Sequence, residues 1–383
     1  MAQKLAILSI SLITVMAGAA ISPALGEITG AFPEAGGTLV KLVNTMHAVF
    51  IIPFTFVSSW LTKRYSKKAI LIPGLLLYII GGIGGGLAEN IWMLLATRAI
   101  LGISVGLIMP ISTSIVSDYY EGNERTSMMG KVSASNQLGG MISMVAAGLL
   151  AAVSWRFTFL VYALAVLVFV LVLLFLPRRA PAAYEREGSG GRLDKRIIGL
   201  AAAMFAVFVL FYSIPTNMAI YLQENNIAGA SLSGVIIAVM MLGGLAGGLL
   251  LAKVKHMLQS YTVPVQISLM GTGFSLIAFT SSVLPIAFGV FLMGLGAGTL
   301  IPSIYNGVAG VTAGAQVMTA MAIVQSFMYL GQFMSPLVMD SVSTLAGHPT
   351  NQFIYSMSGV LTLSIGVILL AVNAIRRYLA AKN

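Results

Sequence analysis

The sequence predicts an all-α membrane protein, and three of its features support this prediction. Of its 383 residues, 58% are hydrophobic and only 8% are charged. A soluble domain carries about 25% charged residues, so this chain could not cover a surface that faces water. Its apolar residues come in runs of about 20, which is the length needed to cross a membrane. The chain also repeats its pattern of glycine and proline after 192 residues.

Twelve apolar runs reach spanning length, and each is expected to be a transmembrane helix, because a backbone in hydrocarbon must satisfy its own hydrogen bonds. The first run continues to Leu25 without a polar break, which is long for a signal peptide, so it is interpreted as a retained span. The runs cover residues 5–25, 41–61, 69–87, 91–117, 132–152, 157–177, 197–222, 231–252, 261–281, 285–306, 317–339 and 352–375.

The basic residues predict the orientation of these spans. An even number of spans places both termini on one side, and Lys and Arg favour the cytoplasmic loops. With a cytoplasmic N-terminus, 18 of the 21 Lys and Arg residues lie in the cytoplasm, whereas Lys41 and Arg156 lie outside and Arg98 lies within a span. The net charge of +10 is therefore explained by topology. We expect a protein of the plasma membrane with both termini cytoplasmic and with no nucleic-acid partner.

A polar segment divides the chain between the sixth and seventh runs. Residues 178–196 mix proline, glycine and charge, and this composition indicates a cytoplasmic linker. The expected domains are six-helix bundles at 1–177 and 197–383. An ungapped shift of 192 residues superposes several positions of the two bundles, which indicates two pseudo-symmetric halves. The matches include Pro23 with Pro215, Lys63 with Lys255, and Gly102, Gly106 and Pro110 with Gly294, Gly298 and Pro302.

The repeated glycine and proline positions are predicted to serve gating. Small residues at steps of four allow two helices to approach closely. Proline frees a carbonyl and permits a bend, which suits helices that rock. At the inner end of the fourth span, Asp118 is expected to pair with Lys63, Arg64 or Arg125, and a solvated helix end is the alternative. The gating candidates are therefore these four residues with Gly102, Gly106, Pro110, Gly294, Gly298 and Pro302.

Polar side chains inside the spans predict a substrate cavity, because such groups should face partners or water and not lipid. They cluster in spans two, four, five, seven, ten and eleven, whereas spans three, six, nine and twelve are almost purely apolar. This division is typical of an outer scaffold around a polar cavity. The predicted substrate-binding residues are Asn44, His47, Arg98, Asn136, Gln137, Tyr212, Asn217, Tyr305, Gln325 and Tyr329.

Three ionisable residues are candidates for proton coupling. Arg98 is the only Lys or Arg within a predicted span, at a cost of about 2.5–3.5 kcal/mol on insertion scales. It either anchors an anionic group or relays protons, or it holds the bundle together by bonding carbonyls of the first span. An unperturbed histidine has a pKa of about 6.5, which suits His47 to take up and release the coupled proton. The alternative is that His47 is neutral and bonds a neighbouring group. Glu27, at the outer end of the first span, either takes part in proton coupling or is simply solvated.

The remaining side-chain chemistry limits the function. All 11 acids fall in loops or at the ends of predicted spans, so no carboxylate would offset the desolvation of a cationic substrate. A neutral or anionic substrate is therefore favoured. The chain has no cysteine, no nucleotide-binding loop and no acid pair in the membrane, and its three histidines lie at different levels. We expect no metal, no cofactor and no enzymatic activity.

The whole chain resembles the major facilitator superfamily. The stretch "RAILGISVG" (Arg98 to Gly106) resembles that family's R-x-x-x-G-x-x-x-G signature in the fourth span. "ER" at Glu124 and "SWRFTF" from Ser154 are similar to the drug–proton antiporter branch, whereas the loop from Ser59 to Lys68 departs from the family pattern.

The resemblance implies a secondary transporter that works by alternating access and binds a small-molecule substrate and protons. Proton-coupled efflux of an amphipathic, neutral or anionic solute is the first expectation, and proton-coupled uptake of a small organic anion is the alternative. A transport-inactive sensor or receptor is the alternative from another class of protein. We expect a monomer in contact with membrane lipid.

Overall fold

The computed structural model describes residues 2–177, 194–312 and 316–382, and this part of the chain is helical with no β-strand. The predicted linker at 178–196 lies almost entirely outside the described residues. The chain divides into two compact units, Met1–Gly188 with Gly229–Val235, and Ser189–Ala228 with Ile236–Asn383.

Two of the helices up to residue 177 begin at a side-chain N-cap. The Ser66 hydroxyl accepts the N–H of Ala69 at the start of one helix, and the Asn90 side chain accepts that of Met93 at the next. A 3₁₀ segment, Trp155–Ala163, leads into the last of them. The helices are α1 (Ala2–Ala19), α2 (Leu25–Ala31), α3 (Gly37–Leu61), α4 (Lys67–Ile83), α5 (Ile91–Tyr119), α6 (Gly122–Ala151) and α7 (Leu164–Phe175).

The helices after residue 193 are longer on average than those before residue 177. Their apolar side chains form the core of the second unit, in which Met204, Met270 and Ala297 are fully buried. The helices are α8 (Arg196–Glu224), α9 (Ala230–Leu258), α10 (Thr262–Phe279), α11 (Val283–Val311), α12 (Gln316–Leu345) and α13 (Asn351–Lys382).

The chain is a multi-pass membrane protein, but helix length and hydropathy identify fewer separate spans than the twelve that were predicted. Ten ranges of the described residues are long and apolar enough to cross a membrane. One of them, Ala230–Phe279, contains both α9 and α10. Helix α6 has 30 residues but is not among these ranges, because serine and amide side chains, including Asn136 and Gln137, lower the hydropathy of its apolar part.

The first span is broken, which the prediction of one run at 5–25 did not include. Helix α1 ends at Ala19, and a buried 3₁₀ turn at Ser22–Ala24 precedes α2. Pro23 lies within this turn, where its missing N–H interrupts the α-helical ladder. Glu27 was expected at the end of a span, but it lies inside α2 and is half-buried.

Glycines bring α5 into close contact with α3 in the first unit. A Cβ atom at Gly102 would overlap the backbone carbonyl of His47. One at Gly106 would lie 2.9 Å from the carbonyl oxygen of Ile51. Backbone, unlike the end of a flexible side chain, cannot move away easily, so both positions need glycine for this packing.

The second unit repeats this packing between α11 and α9. A Cβ atom at Gly294 would overlap the carbonyl of Met240, and one at Gly298 would lie 2.6 Å from the Cα of Gly244. The residues contacted on α9 stand 193 positions after those contacted on α3. Pro110 and Pro302 both lie inside continuous helices, α5 and α11.

Candidate functional site

Arg98 is fully buried in the first unit, with 0% of the residue exposed. Its Nη2 donates to the carbonyls of Gly81 at 2.6 Å and Gly82 at 3.2 Å, and its Nη1 donates to the hydroxyl of Tyr162 at 3.0 Å. The guanidinium carbon lies 5.0 Å from the ring centre of Phe159 and 5.1 Å from that of Tyr162. The two carbonyls belong to the last turn of α4, and the dipole at the C-terminal end of a helix favours a cation. The two rings add a favourable cation–π contact.

These partners differ from the expected ones, because the carbonyls belong to α4 and not to the first span. The first span is reached only indirectly, since the Tyr162 hydroxyl donates to the carbonyl of Ala17 at 3.2 Å. Tyr78 on α4 adds a second link, through its hydroxyl to the carbonyl of Ile13 at 2.6 Å. The expectation that spans three and six are almost purely apolar is therefore wrong at Tyr78 and Tyr162, which join the spans through buried hydroxyls.

A second polar group lies on the buried face of α3. Asn44 accepts a hydrogen bond from Ser22 at 3.3 Å, so it contacts the break in the first span. His47 lies one turn further along and is also buried. Lys41, expected outside the membrane, is only 6% exposed and lies within α3, so Arg98 is not the only basic residue inside a span. Helix α2, which carries the half-buried Glu27, packs against α3.

Asn136 and Gln137 lie on α6 and are half-buried. The Oδ1 atom of Asn136 is buried and has no hydrogen-bond partner among the described residues. The structure places the predicted polar residues of the first unit on three helices, with Asn44 and His47 on α3, Arg98 on α5, and Asn136 and Gln137 on α6.

The second unit presents a ladder of aromatic rings on α8. The ring centres of Phe208 and Phe211 are 5.6 Å apart, those of Phe208 and Tyr212 are 6.0 Å apart, and those of Phe211 and Tyr212 are 5.7 Å apart. Residues at steps of three and four lie on one face of a helix, so the ladder follows from the sequence spacing.

Tyrosines from three helices gather beside this ladder. Tyr212 on α8 and Tyr305 on α11 pack against the same core side chains. Tyr329 on α12 lies near both. Tyr212 hydrogen-bonds Gln332, and Tyr329 hydrogen-bonds Gln325. We call these five residues the tyrosine cluster.

Asn217 does not belong to the tyrosine cluster. It is fully buried, and its Nδ2 donates within α8, to the carbonyl of Ser213 at 2.8 Å and to the hydroxyl of Thr216 at 3.0 Å. An amide that bonds its own helix in this way supports local structure.

The predicted inner gate has a partner that sequence reasoning missed. Asp118 on α5 forms an ion pair with Lys67 on α4, with a nitrogen–oxygen distance of 2.8 Å. Lys67 also donates to the carbonyl of Ser114 at 3.0 Å, near the C-terminal end of α5. Arg64 lies over the ring of Trp60, 4.7 Å from its centre, and Arg125 is exposed on α6.

The two ion pairs described for the first unit should differ in strength. The side chains of Lys67 and Asp118 are 21% and 26% exposed, whereas those of Lys4 and Glu124 are 49% and 58% exposed. A double-mutant cycle of alanine variants, read by unfolding in detergent, should give a coupling energy of about 1 kcal/mol for the first pair. The second pair should show no measurable coupling. Equal coupling energies would contradict the expectation that burial strengthens the Lys67–Asp118 pair.

The described residues also contain an apolar pocket and no metal site. The pocket has a volume of about 260 Å³ and lies between α1, α6 and α7. Its walls include Leu12, Met16 and Ile142, and none of the predicted substrate-binding residues. No group of three His, Asp or Glu side chains in the described part of the chain is placed to hold a metal ion.

Comparisons with known proteins agree with this architecture. The model of the Major Facilitator Superfamily matches residues 5–265. Multidrug resistance protein 2 of Bacillus subtilis (strain 168) is 28% identical over 152 residues, which cover 40% of this chain and 38% of that protein. Multidrug resistance protein MdtG of Citrobacter koseri is 26% identical, with 78% of both chains covered. A crystal structure of the nucleoside transporter NupG has a TM-score of 0.79 at 12% identity and covers 96% of this chain and 99% of that chain.

The chain belongs to the Major Facilitator Superfamily, a family of transporters and not of enzymes. Within it, the chain lies near the drug–proton antiporter branch. Several curated relatives are matched over only about two fifths of their length or less.

Proposed function

We propose that the protein is a secondary transporter that exports a small amphipathic solute, neutral or anionic, by alternating access coupled to protons. One observation carries this proposal: each unit holds buried or half-buried polar side chains on helices that are otherwise apolar. Asn44 and His47 represent the first unit, and Tyr212 and Tyr305 the second. Polar groups inside membrane spans mark transport pathways. The two relatives named for multidrug resistance favour export.

The proposed architecture has twelve spans in two pseudo-symmetric six-helix halves, at 1–177 and 197–383, joined by a cytoplasmic linker at 178–196. Counting α6 as a span, and α9 and α10 separately, gives this number. The close helix contacts at Gly102 and Gly106 in the first unit correspond to those at Gly294 and Gly298 in the second. This correspondence supports the duplication. The distribution of Lys and Arg supports cytoplasmic termini in the plasma membrane. We propose that the protein acts as a monomer.

The proposed substrate residues are the predicted ones other than Arg98 and Asn217. We propose that Arg98 and Asn217 are structural, because each is fully buried and donates both to a helix carbonyl and to a neighbouring hydroxyl. His47 and Glu27 remain the candidates for proton coupling. The substrate residues are Asn44, His47, Asn136, Gln137, Tyr212, Tyr305, Gln325 and Tyr329.

Uptake of a small organic anion is a second candidate function, and one observation favours it. Lys41 is buried in α3, three residues before Asn44, and residues at this spacing lie on one helix face. A cation there would attract the anionic group of a solute.

Flux measured in liposomes tests the proposal. The purified protein is reconstituted with an internal pH dye, and a panel of neutral and anionic amphipathic solutes is added under an imposed pH gradient. We expect proton movement that depends on a solute, and we expect His47→Ala to reduce it by about 100-fold or more, the scale of a lost proton-transfer group. His348→Ala, an exposed histidine, is the matched control. Folded protein without flux of any solute would contradict transport, and saturable binding without flux would assign a receptor.

A further inference from the structure

The tyrosine cluster of the second unit has the composition of a site for an aromatic ring. We infer that it binds a neutral, planar aromatic group that carries a hydrogen-bond acceptor. This inference rests on the proposed transport function and names the class of its substrate. The geometry, the hydrogen bonding and the charge of the cluster each support it.

The first support is the exposure of aromatic side chains. Phe211 and Tyr212 are only half-buried, although both belong to the ladder on α8. Tyr305 is half-buried on α11. Aromatic rings prefer to stack on, or to contact edge to face, another ring at centre distances of about 4.5–7 Å. A planar solute can therefore extend the ladder by one more ring.

The second support is the weak partner of one hydroxyl. Among the described residues, the recorded acceptor for Tyr305 is the sulfur of Met328, at 3.6 Å. A thioether sulfur is a weak acceptor, so a carbonyl oxygen on a ligand would be a better partner for this hydroxyl. Met328 has a flexible, polarisable side chain that can move to make room. Gln325, four residues before Tyr329, adds an amide that can donate and accept on the same face.

The third support is the distribution of charge on the three helices. Helix α11 has no charged residue, α12 has only Asp340, and α8 has only Arg196 and Glu224 at its ends. Asp340 follows Gln332 by eight residues, which is about 12 Å along a helix. Arg196 and Glu224 each lie 12 residues from the aromatic ladder, which is about 18 Å. A charged ligand group would therefore lose its hydration without gaining a counter-charge.

The expected ligand is thus an uncharged aromatic amide, ketone or similar compound. Each alternative ligand binds less favourably for one of the three reasons given above. A cation or an anion loses its hydration, and a saturated ring of equal size loses stacking. An aromatic hydrocarbon without an acceptor leaves the Tyr305 hydroxyl with the methionine sulfur.

Equilibrium binding to the purified full chain in detergent tests the inference with four matched compounds. These are 2-naphthamide, which is neutral, 2-naphthoate, an anion, 2-naphthamidine, a cation, and the decahydro form of the amide, which has no aromatic ring. We expect 2-naphthamide to bind at least tenfold more tightly than each of the others. Replacing Tyr305→Phe should weaken its binding about fivefold, the effect of one neutral hydrogen bond. Tyr378→Phe, at a tyrosine that is 69% exposed on α13, should change nothing.

Equal or tighter binding of the anion, the cation or the saturated amide would overturn the inference, as would the absence of binding by all four. So would an unchanged affinity in Tyr305→Phe. The ranking in the wild-type protein decides the question even if that variant unfolds. Because binding in detergent needs no flux, the expected ranking without transport would refute only the proposed function. Flux with a different ranking would refute only this inference.

Discussion

Replacing Arg98 with alanine should destabilise the first unit by about 2–4 kcal/mol. The variant loses hydrogen bonds to Gly81, Gly82 and Tyr162, and bonds from a charged donor contribute about 1.5–3 kcal/mol each. It also loses contacts with two aromatic rings and leaves a cavity. Removing an arginine from the membrane recovers about 2.5–3.5 kcal/mol, which offsets only part of this loss. Thermal unfolding in detergent measures the difference.

Arg156→Ala is the matched control for this experiment. Arg156 also donates to two backbone carbonyls, those of Gly86 at 2.9 Å and Ala88 at 2.8 Å, and it stacks on Trp155. The residue is exposed, so water can replace the lost donor and the change in unfolding temperature should be small. If Arg98→Ala kept its stability and lost only the binding of anionic ligands, Arg98 would be a substrate anchor and not a structural residue.

The substitutions Gly102→Ala and Gly294→Ala should each lower the free energy of unfolding by about 1–3 kcal/mol. The new Cβ atom would overlap the carbonyl of His47 in the first case and of Met240 in the second. Alanine is a better helix former than glycine by about 1 kcal/mol, so an unobstructed site would be stabilised by this change. Unfolding of both variants in detergent, together with flux in liposomes, provides the measurement. Because the two contacts are equivalent, we expect losses of similar size.

Gly248→Ala is the control for the two glycine variants. Gly248 lies inside α9, and a Cβ atom there would have no other atom within 4 Å. The substitution should therefore be neutral or slightly stabilising. Stability losses that were as large at Gly248 as at Gly102 would show that overlap with a neighbouring helix is not the cause.

Helix positions could be predicted from the sequence because spanning length and hydropathy are properties of each segment alone. The fourth run, 91–117, became helix α5 at Ile91–Tyr119. Errors arose where a helix continues beyond its apolar part. Lys41 was placed outside because it begins an apolar run, yet it lies inside α3. The break after Ala19 had a visible signal in Pro23, but proline in a span more often bends a helix than interrupts it.

The contents of the site could be predicted only in part. The tyrosine cluster was visible as polar residues in apolar helices, and the spacing on α8 and α12 places them on common faces. The partners of Arg98 were not visible, because two of them are backbone carbonyls that no residue type reveals. The partner of Asp118 was missed because Lys67 and its neighbours in the loop are equally basic, and only the packing of α4 on α5 distinguishes them.

The network around Arg98 has a consequence for the biogenesis of the protein. A ribosome synthesises Gly81 and Gly82 before Arg98, whereas Tyr162 follows 64 residues later. We therefore expect the arginine to meet its first acceptors once α4 and α5 have both been made and have paired. Its charge is shielded at that stage by the end of the preceding helix, long before the sixth span is made. The position equivalent to Arg98 in the second unit is Val290, so no charge at that position needs a partner from a neighbouring helix.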